Sequence, residues 1–350
     1  MTPHYFTYIA FAVICLTLLT LPFVPAFREW LYPTDAVPLP VSPNYTSDID
    51  HFARRLRADA MAKLGSGPPT GYEEFDFVAD TDTDAGADMD WRHAQKRLIA
   101  RASISSPDAV RSLQPVYVDG SLRAGADSAF AALYATGDIE LGAQSEITDW
   151  AHADGVVRLG ANSIGLRRIS AGVAIELGTE AWFERLHAPV LRFGSHVSSV
   201  PQPQSYEQSP ASYADLPRAI RQTPELYLIR GDCALPPGKV YTGSLVVTGF
   251  LTVGAATTVV GDIKARDGVS IGPRASVRGA LTCEKRIYVF PDARVRGPVI
   301  SESDVLIGAN AVIGQSDAQT TVSAANLIVE DGVTVHGTLW AHEIGMVKQL

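Results

Sequence analysis

The chain has 350 residues, 46% of them hydrophobic and only 19% charged, which is enough apolar side chain for a sizeable core and less charge than an ordinary soluble domain carries. With 29 Lys and Arg against 38 Asp and Glu the formal charge is -9; a protein that grips nucleic acid over its whole surface is excluded, because phosphate neutralisation needs a basic face. Three widely separated cysteines exclude a disulfide-stapled mini-protein.

After a short tail (1–4), the stretch 5–27 contains no Asp, Glu, Lys or Arg. Its length at about 1.5 Å per residue suffices to cross about 30 Å of hydrocarbon. This predicts a single-pass transmembrane helix over 5–27, with the lipid bilayer as its partner. The competing reading is a cleaved signal peptide, in which Val24-Pro25-Ala26 imitates a cleavage site; the leading Met-Thr-Pro-His lacks the positive charge of such a signal. Arg28 after the span, followed by Arg54, Arg55 and Arg57, biases the bulk of the chain towards the cytoplasmic side.

Residues 28–115 precede the repeats. The proline-rich 28–46 reads as an extended tether. An amphipathic helix is expected over 47–64, capped by Ser47, with Asp48 and Asp50 in its first turn and Gly65 as its stop. Ile49, Phe52, Leu56, Met61 and Leu64 trace its apolar face, which packs against the protein or lies on a membrane. Between 73 and 90 there are eight acidic residues, read as a solvated loop. Asp80, Asp82 and Asp84 alternate as calcium ligands do, but Gly86 falls one place late for an EF-hand and Trp91 stands where its bidentate Glu belongs. Asn44-Tyr45-Thr46 matches a glycosylation sequon, with nothing else to suggest a secretory eukaryotic protein.

A repeat organises 116–194. Ile139, Val157 and Ile175 recur every 18 residues, each followed two places on by Leu141, Leu159 and Leu177. The outward residues between them, Glu140, Arg158 and Glu176, alternate in sign, as neighbouring strands prefer. Residues 195–224, rich in Pro, Ser and Gln, interrupt the lattice as a surface excursion or linker, with a short helix expected over Leu216–Gln222.

The second block, 225–350, carries the clearest pattern. Gly243, Gly261, Gly279 and Gly297 are 18 apart, and aliphatic residues recur in phase: Leu245, Ile263, Leu281, Val299; Val253, Ile271, Val289, Ile307; Val259, Val277, Val295, Ile313. Smaller residues sit two places from the first and third sets. Residues two apart share a face of a strand, so each 18-residue turn holds three short strands with two inward side chains each. The fold class is therefore an all-β solenoid, a triangular parallel β-helix, preceded by the transmembrane helix and a short helical and irregular region. A four-residue insertion falls at Gln315–Ala318. Tyr288, Leu306 and Ile328 form an apolar outward stripe, a candidate contact for the 47–64 helix or for another copy.

The segment 259–314, with V-V-G-D-I-K-A-R-D-G-V-S-I-G-P-R-A-S-V-R-G-A-L, resembles the bactofilins, bacterial polymer-forming cytoskeletal proteins; the likeness covers about 243–340. The resemblance implies a right-handed β-helix, nucleotide-free polymerisation through stacked ends, scaffolding of cell-envelope or polysaccharide-synthesis enzymes and, with the anchor, a place at the bacterial inner membrane. The length, the anchor and the extra block depart from that pattern.

The main rival is a left-handed hexapeptide-repeat acyltransferase, suggested by I-G-P-R-A-S-V and I-G-A-N-A-V-I, but its aliphatic-then-small order holds on one side of the coil only. Such an enzyme needs an exposed general base; His152 and His187 show no partner carboxylate in the sequence and read as structural. No catalytic, cofactor or metal residues are assigned. Cys233 and Cys283 are small core residues three turns apart, beyond disulfide reach, and Cys15 belongs to the span. A third reading, a periplasmic polysaccharide-binding module, places Trp150, Trp182 and Tyr288 on one grooved face.

Overall fold

The computed structural model describes residues 3–31, 48–65, 75–79, 91–194 and 208–349. Most of the tether, the sequon, Ser47, residues 80–90 of the acidic stretch and 195–207 lie outside the described residues. The chain divides into two compact units, Met1–Asp48 and Ile49–Leu350.

In the first unit, helix α1 (Pro3–Thr20) runs through a 3-10 turn (Leu21–Phe23) into helix α2 (Val24–Leu31). Pro22 and Pro25 lack the N–H that an unbroken α-helix needs. Tyr8–Arg28, 21 residues at a mean hydropathy of 2.3, is long and apolar enough to cross a membrane, a property that spans and signal sequences share.

The second unit is a β-solenoid. On its three sides Leu245, Ile263, Leu281 and Val299 stack in parallel register, as do Val253, Ile271, Val289 and Ile307, and Val259, Val277, Val295 and Ile313. All of them are buried, at 2% exposure or less. No single turn can bury these side chains; stacking supplies the core, and one hydrophobic cluster runs from Trp91 to Val347.

Gly243, Gly261, Gly279 and Gly297 stack directly: a Cβ on each of the last three would strike the carbonyl of the glycine one turn earlier. A second corner is built from left-handed non-glycine residues, Ala256, Arg274, Asp292 and Asn310, with φ between 54° and 60°. Their N–H groups donate to carbonyls of the following turn (Pro273, Pro291, Ala309 and Asp331), which offsets the cost of the conformation. The hexapeptide-like stretches are these corners.

Several boundaries differ from expectation. The solenoid begins well before 116. Phe75–Ala79 pairs with Arg97–Ala100, which pairs with Val116–Val118, so part of the expected acidic loop is strand. Ser106 and Ser112 fill inward positions of that first turn, which hides it from an aliphatic pattern. Residue spacing in the first block also departs from 18: Val116 pairs with Leu133 and Ile175 with Leu191. Leu216–Gln222 is not a helix. A 3-10 turn at Tyr213–Asp215 leads into the strand Ala219–Thr223, which folds antiparallel onto Leu226–Ile229. The Gln315–Ala318 insertion is a tight turn closed by two backbone hydrogen bonds.

The two blocks stack through their last turns. Strand Trp182–Phe193 of the first block lies antiparallel to strand Thr334–Lys348 of the second, pairing Leu186 with Leu339 and Leu191 with Val335. Each free end is therefore a first turn, and at each an aromatic side chain fills the apolar interior. Trp91 sits edge-on to Phe130 at 6.1 Å at one end. At the other, buried Tyr213 stacks on Tyr241 at 4.9 Å beneath the Ala219–Thr223 hairpin.

Helix α3 (His51–Leu64) follows a 3-10 turn at Asp48–Asp50, with Asp50 at its N-cap and the Gly65 N–H bonded to the Met61 carbonyl. Its buried face is Ile49, Ala53, Leu56 and Ala60, while Phe52 and Met61 are half exposed. Alanines let the helix approach the flat rings of Tyr117 and Tyr134 closely. The helix packs on the flank of the first block, against Phe75, Ile99, Tyr117 and Tyr134, and not on the Tyr288–Leu306–Ile328 stripe.

Candidate functional site

Two outward columns of the first block continue past α3 and across the block junction. In one, Tyr117 stacks on Tyr134 at 5.3 Å and Tyr134 on His152 at 5.4 Å, and the column goes on through Ser170 and His187 to Thr338. The Tyr134 hydroxyl donates to Asp154 Oδ1 at 2.7 Å, and Arg57 of α3 reaches Asp154 Oδ2 at 3.3 Å. His152 Nδ1 lies 2.7 Å from Ser170 Oγ and its Nε2 lies 3.3 Å from Asp154 Oδ1. His187 makes the same kind of bond to Thr338 Oγ1 at 2.8 Å. Burial, ahead of any charge, holds both imidazoles below their ordinary range and raises the Tyr134 phenol.

Ser170, His152 and Asp154 have the residue types of a nucleophile, base and orienting acid. Ser170 is only 2% exposed, however, and His152 is stacked beneath Tyr134. The arrangement therefore cross-links strands to α3 without presenting a reachable nucleophile. The Asp154 partner of His152 escaped sequence reasoning, although it is only two residues on, in the bend that follows the strand Glu146–Ala153.

The adjacent column reads Trp150, Arg168, Arg185, Trp340. Trp150 pairs with Arg168, Arg168 and Arg185 sit just before the Ile169–Leu186 pair, and Arg185 pairs with Trp340 across the junction. With Phe52, Asp149, Arg167 and Glu184 these residues line a cleft of ≈ 630 Å³. The Arg168 guanidinium lies 5.4 Å from the Phe52 ring centre and that of Arg185 lies 4.8 Å from Trp340. Both distances are in the cation–π range. Burial lowers the Arg185 pKa, and the neighbouring Arg168 charge lowers it further.

No protein-family model matches the chain, and no curated protein or solved structure matches it either.

The stripe predicted at Tyr288, Leu306 and Ile328 is longer than three residues. Register carries it on to Met346, then across the junction to Trp182 and Ile164. Trp182 is 45% exposed and Ile164 37%. Trp150 lies in the cleft, so Trp150, Trp182 and Tyr288 do not share a face. Among the described residues no group of His, Cys, Asp and Glu is arranged to hold a metal ion. Cys283 is buried, Cys233 is half-buried with its thiol pushed up to about 11 by burial, and both are free.

Proposed function

We propose that the chain is a membrane-anchored structural scaffold of the bactofilin type, held in the bacterial inner membrane by its apolar N-terminal helix, with its β-helix in the cytoplasm. Its partners are enzymes of envelope or polysaccharide synthesis and further copies of itself. The observation that carries this reading is the six-residue apolar stripe. It is straight and spans about 24 Å at ordinary strand spacing. A straight stripe laid against its own two-fold mate is self-complementary, as a symmetric dimer requires. Because Trp91 and Tyr213 fill the apolar interior at the two coil ends, the exposed apolar surface lies along the flank, and association there is favoured over the end-to-end stacking that the resemblance implies.

The test is the assembly state of the full chain in detergent micelles by sedimentation velocity. Wild type is expected to form dimers or larger species; Leu306→Glu and Trp182→Glu are expected to give monomers with unchanged melting temperature. Wild type that sediments as a monomer, or charge variants that still associate, would refute the reading. A compact trimer that binds an acyl donor would replace it with the acyltransferase.

A further inference from the structure

We propose that the cleft at the block junction binds a saccharide bearing one anionic group per ring. The sugar rests against Trp150, and its carboxylate or phosphate sits on Arg168 and on Arg185, which the Trp340 ring supports. This inference is independent of self-association, since the cleft and the apolar stripe occupy different columns of the solenoid.

Four observations converge on this ligand. First, Arg168 and Arg185 stand on adjacent strands, where like charges repel. Among the described residues no carboxylate forms an ion pair with Arg168, whose partner is the Phe52 ring. An oxyanion between the two guanidiniums relieves that repulsion, and guanidinium groups hold carboxylate and phosphate in paired hydrogen bonds.

Second, two indoles and a phenyl ring line the same space. The C–H faces of a sugar ring are apolar and pack flat on such rings; Arg168 already lies over Phe52, and Trp340 carries Arg185 and, at 4.4 Å, His342, so Trp150 is the platform. The volume lies within the range of small-molecule sites.

Third, acids line the cleft as well. Asp149 pairs with Arg167 at 3.5 Å, while Glu184 makes no ion pair among the described residues. Carboxylates accept hydrogen bonds from ligand hydroxyls, so an anion rich in hydroxyl groups fits better than a bare one. Asp50, which acts on His152 and His187 nearby, also weighs against a dense polyanion, as does the net charge of -9.

Fourth, the strands that carry Trp150, Arg168, Arg185 and Trp340 are each paired on both sides. A peptide that adds itself as a strand needs an open edge, and there is none here. Recognition falls to side chains alone.

The experiment titrates the full chain in detergent micelles with trigalacturonate, following heat and tryptophan fluorescence. Maltotriose, inorganic phosphate and phosphatidylcholine vesicles containing phosphatidylglycerol serve as comparison probes. Trigalacturonate is expected to bind and to change the fluorescence, with maltotriose at least tenfold weaker. Arg168→Ala and Trp340→Ala are each expected to weaken binding at least tenfold at unchanged melting temperature. Should Arg168→Ala unfold the protein, Arg168→Lys keeps the charge, loses the fork, and is expected to give an intermediate loss. No binding by trigalacturonate, equal binding of maltotriose, or affinity unchanged in the variants overturns the proposal. Phosphate or vesicles binding as tightly as trigalacturonate overturns it in favour of a plain anion or a lipid headgroup site.

Discussion

At Gly261 a single hydrogen atom separates a fitting turn from a clash. A methyl group there would strike the Gly243 carbonyl, and φ is 154°. Gly261→Ala is expected to cost about 1–3 kcal/mol, read as a lowered urea midpoint with unchanged slope. Histidine chemistry gives the second expectation at this scale. His152 and His187 are held below the ordinary imidazole range by burial. The unfolded chain therefore takes up protons near pH 6.5 while the folded one does not. Stability is fully present above that pH and is lost as pH falls below it, until the folded pKa is reached. Asp154 and Asp50 oppose the shift of His152, and Asp50 opposes that of His187; Arg57 reinforces the former, and Arg185 and His152 reinforce the latter. The urea midpoint is expected to drop between about pH 7.5 and about pH 5.5, and to drop less in His187→Gln. The lattice residues were readable because burial selects one chemical type at a fixed interval. The left-handed corner at Ala256, Arg274, Asp292 and Asn310 was not, because side chains of four kinds fill it and only the backbone repeats.

Among the elements, α3 shows how a helix can be foreseen and its contact face misjudged. Hydrophobic periodicity marked Phe52 and Met61, which are half exposed, whereas the face packed over Tyr117 and Tyr134 sets Leu56 between two alanines, Ala53 and Ala60. Ala60→Leu is expected to overfill that contact by about 1–3 kcal/mol. Hydrogen exchange is the measurement: amides of α3 should exchange faster while those of the second block keep their protection. The strand Ala219–Thr223 was misread for a related reason. Its side chains are mostly exposed, so no buried alternation marks it, and its partner Leu226–Ile229 decides its conformation. The stripe was legible in part. Tyr288, Leu306 and Ile328 follow the repeat, while Met346 and Trp182 join it only through an antiparallel pair.

For the whole molecule the junction matters most. No interval in the sequence links Arg185 to Trp340 or Leu186 to Leu339, because a repeat reports parallel neighbours and says nothing about a reversal. The cleft was half visible for that reason: Trp150 and Arg168 are one repeat apart, and Trp340 is not. Since a single core crosses the junction, the second unit is expected to melt in one transition. Leu339→Asp places a carboxylate in that core opposite Leu186, and calorimetry is then expected to resolve two transitions, one per block.

The reversal also sets an order of events on the ribosome. Trp182–Phe193 leaves the exit tunnel with its outer row of N–H and C=O groups unclaimed, and the strand that takes them, Thr334–Lys348, is synthesised last, after the rest of the second block. Throughout that interval the nascent chain displays a long, partly apolar ribbon, the kind of surface on which misassembly between neighbouring chains begins.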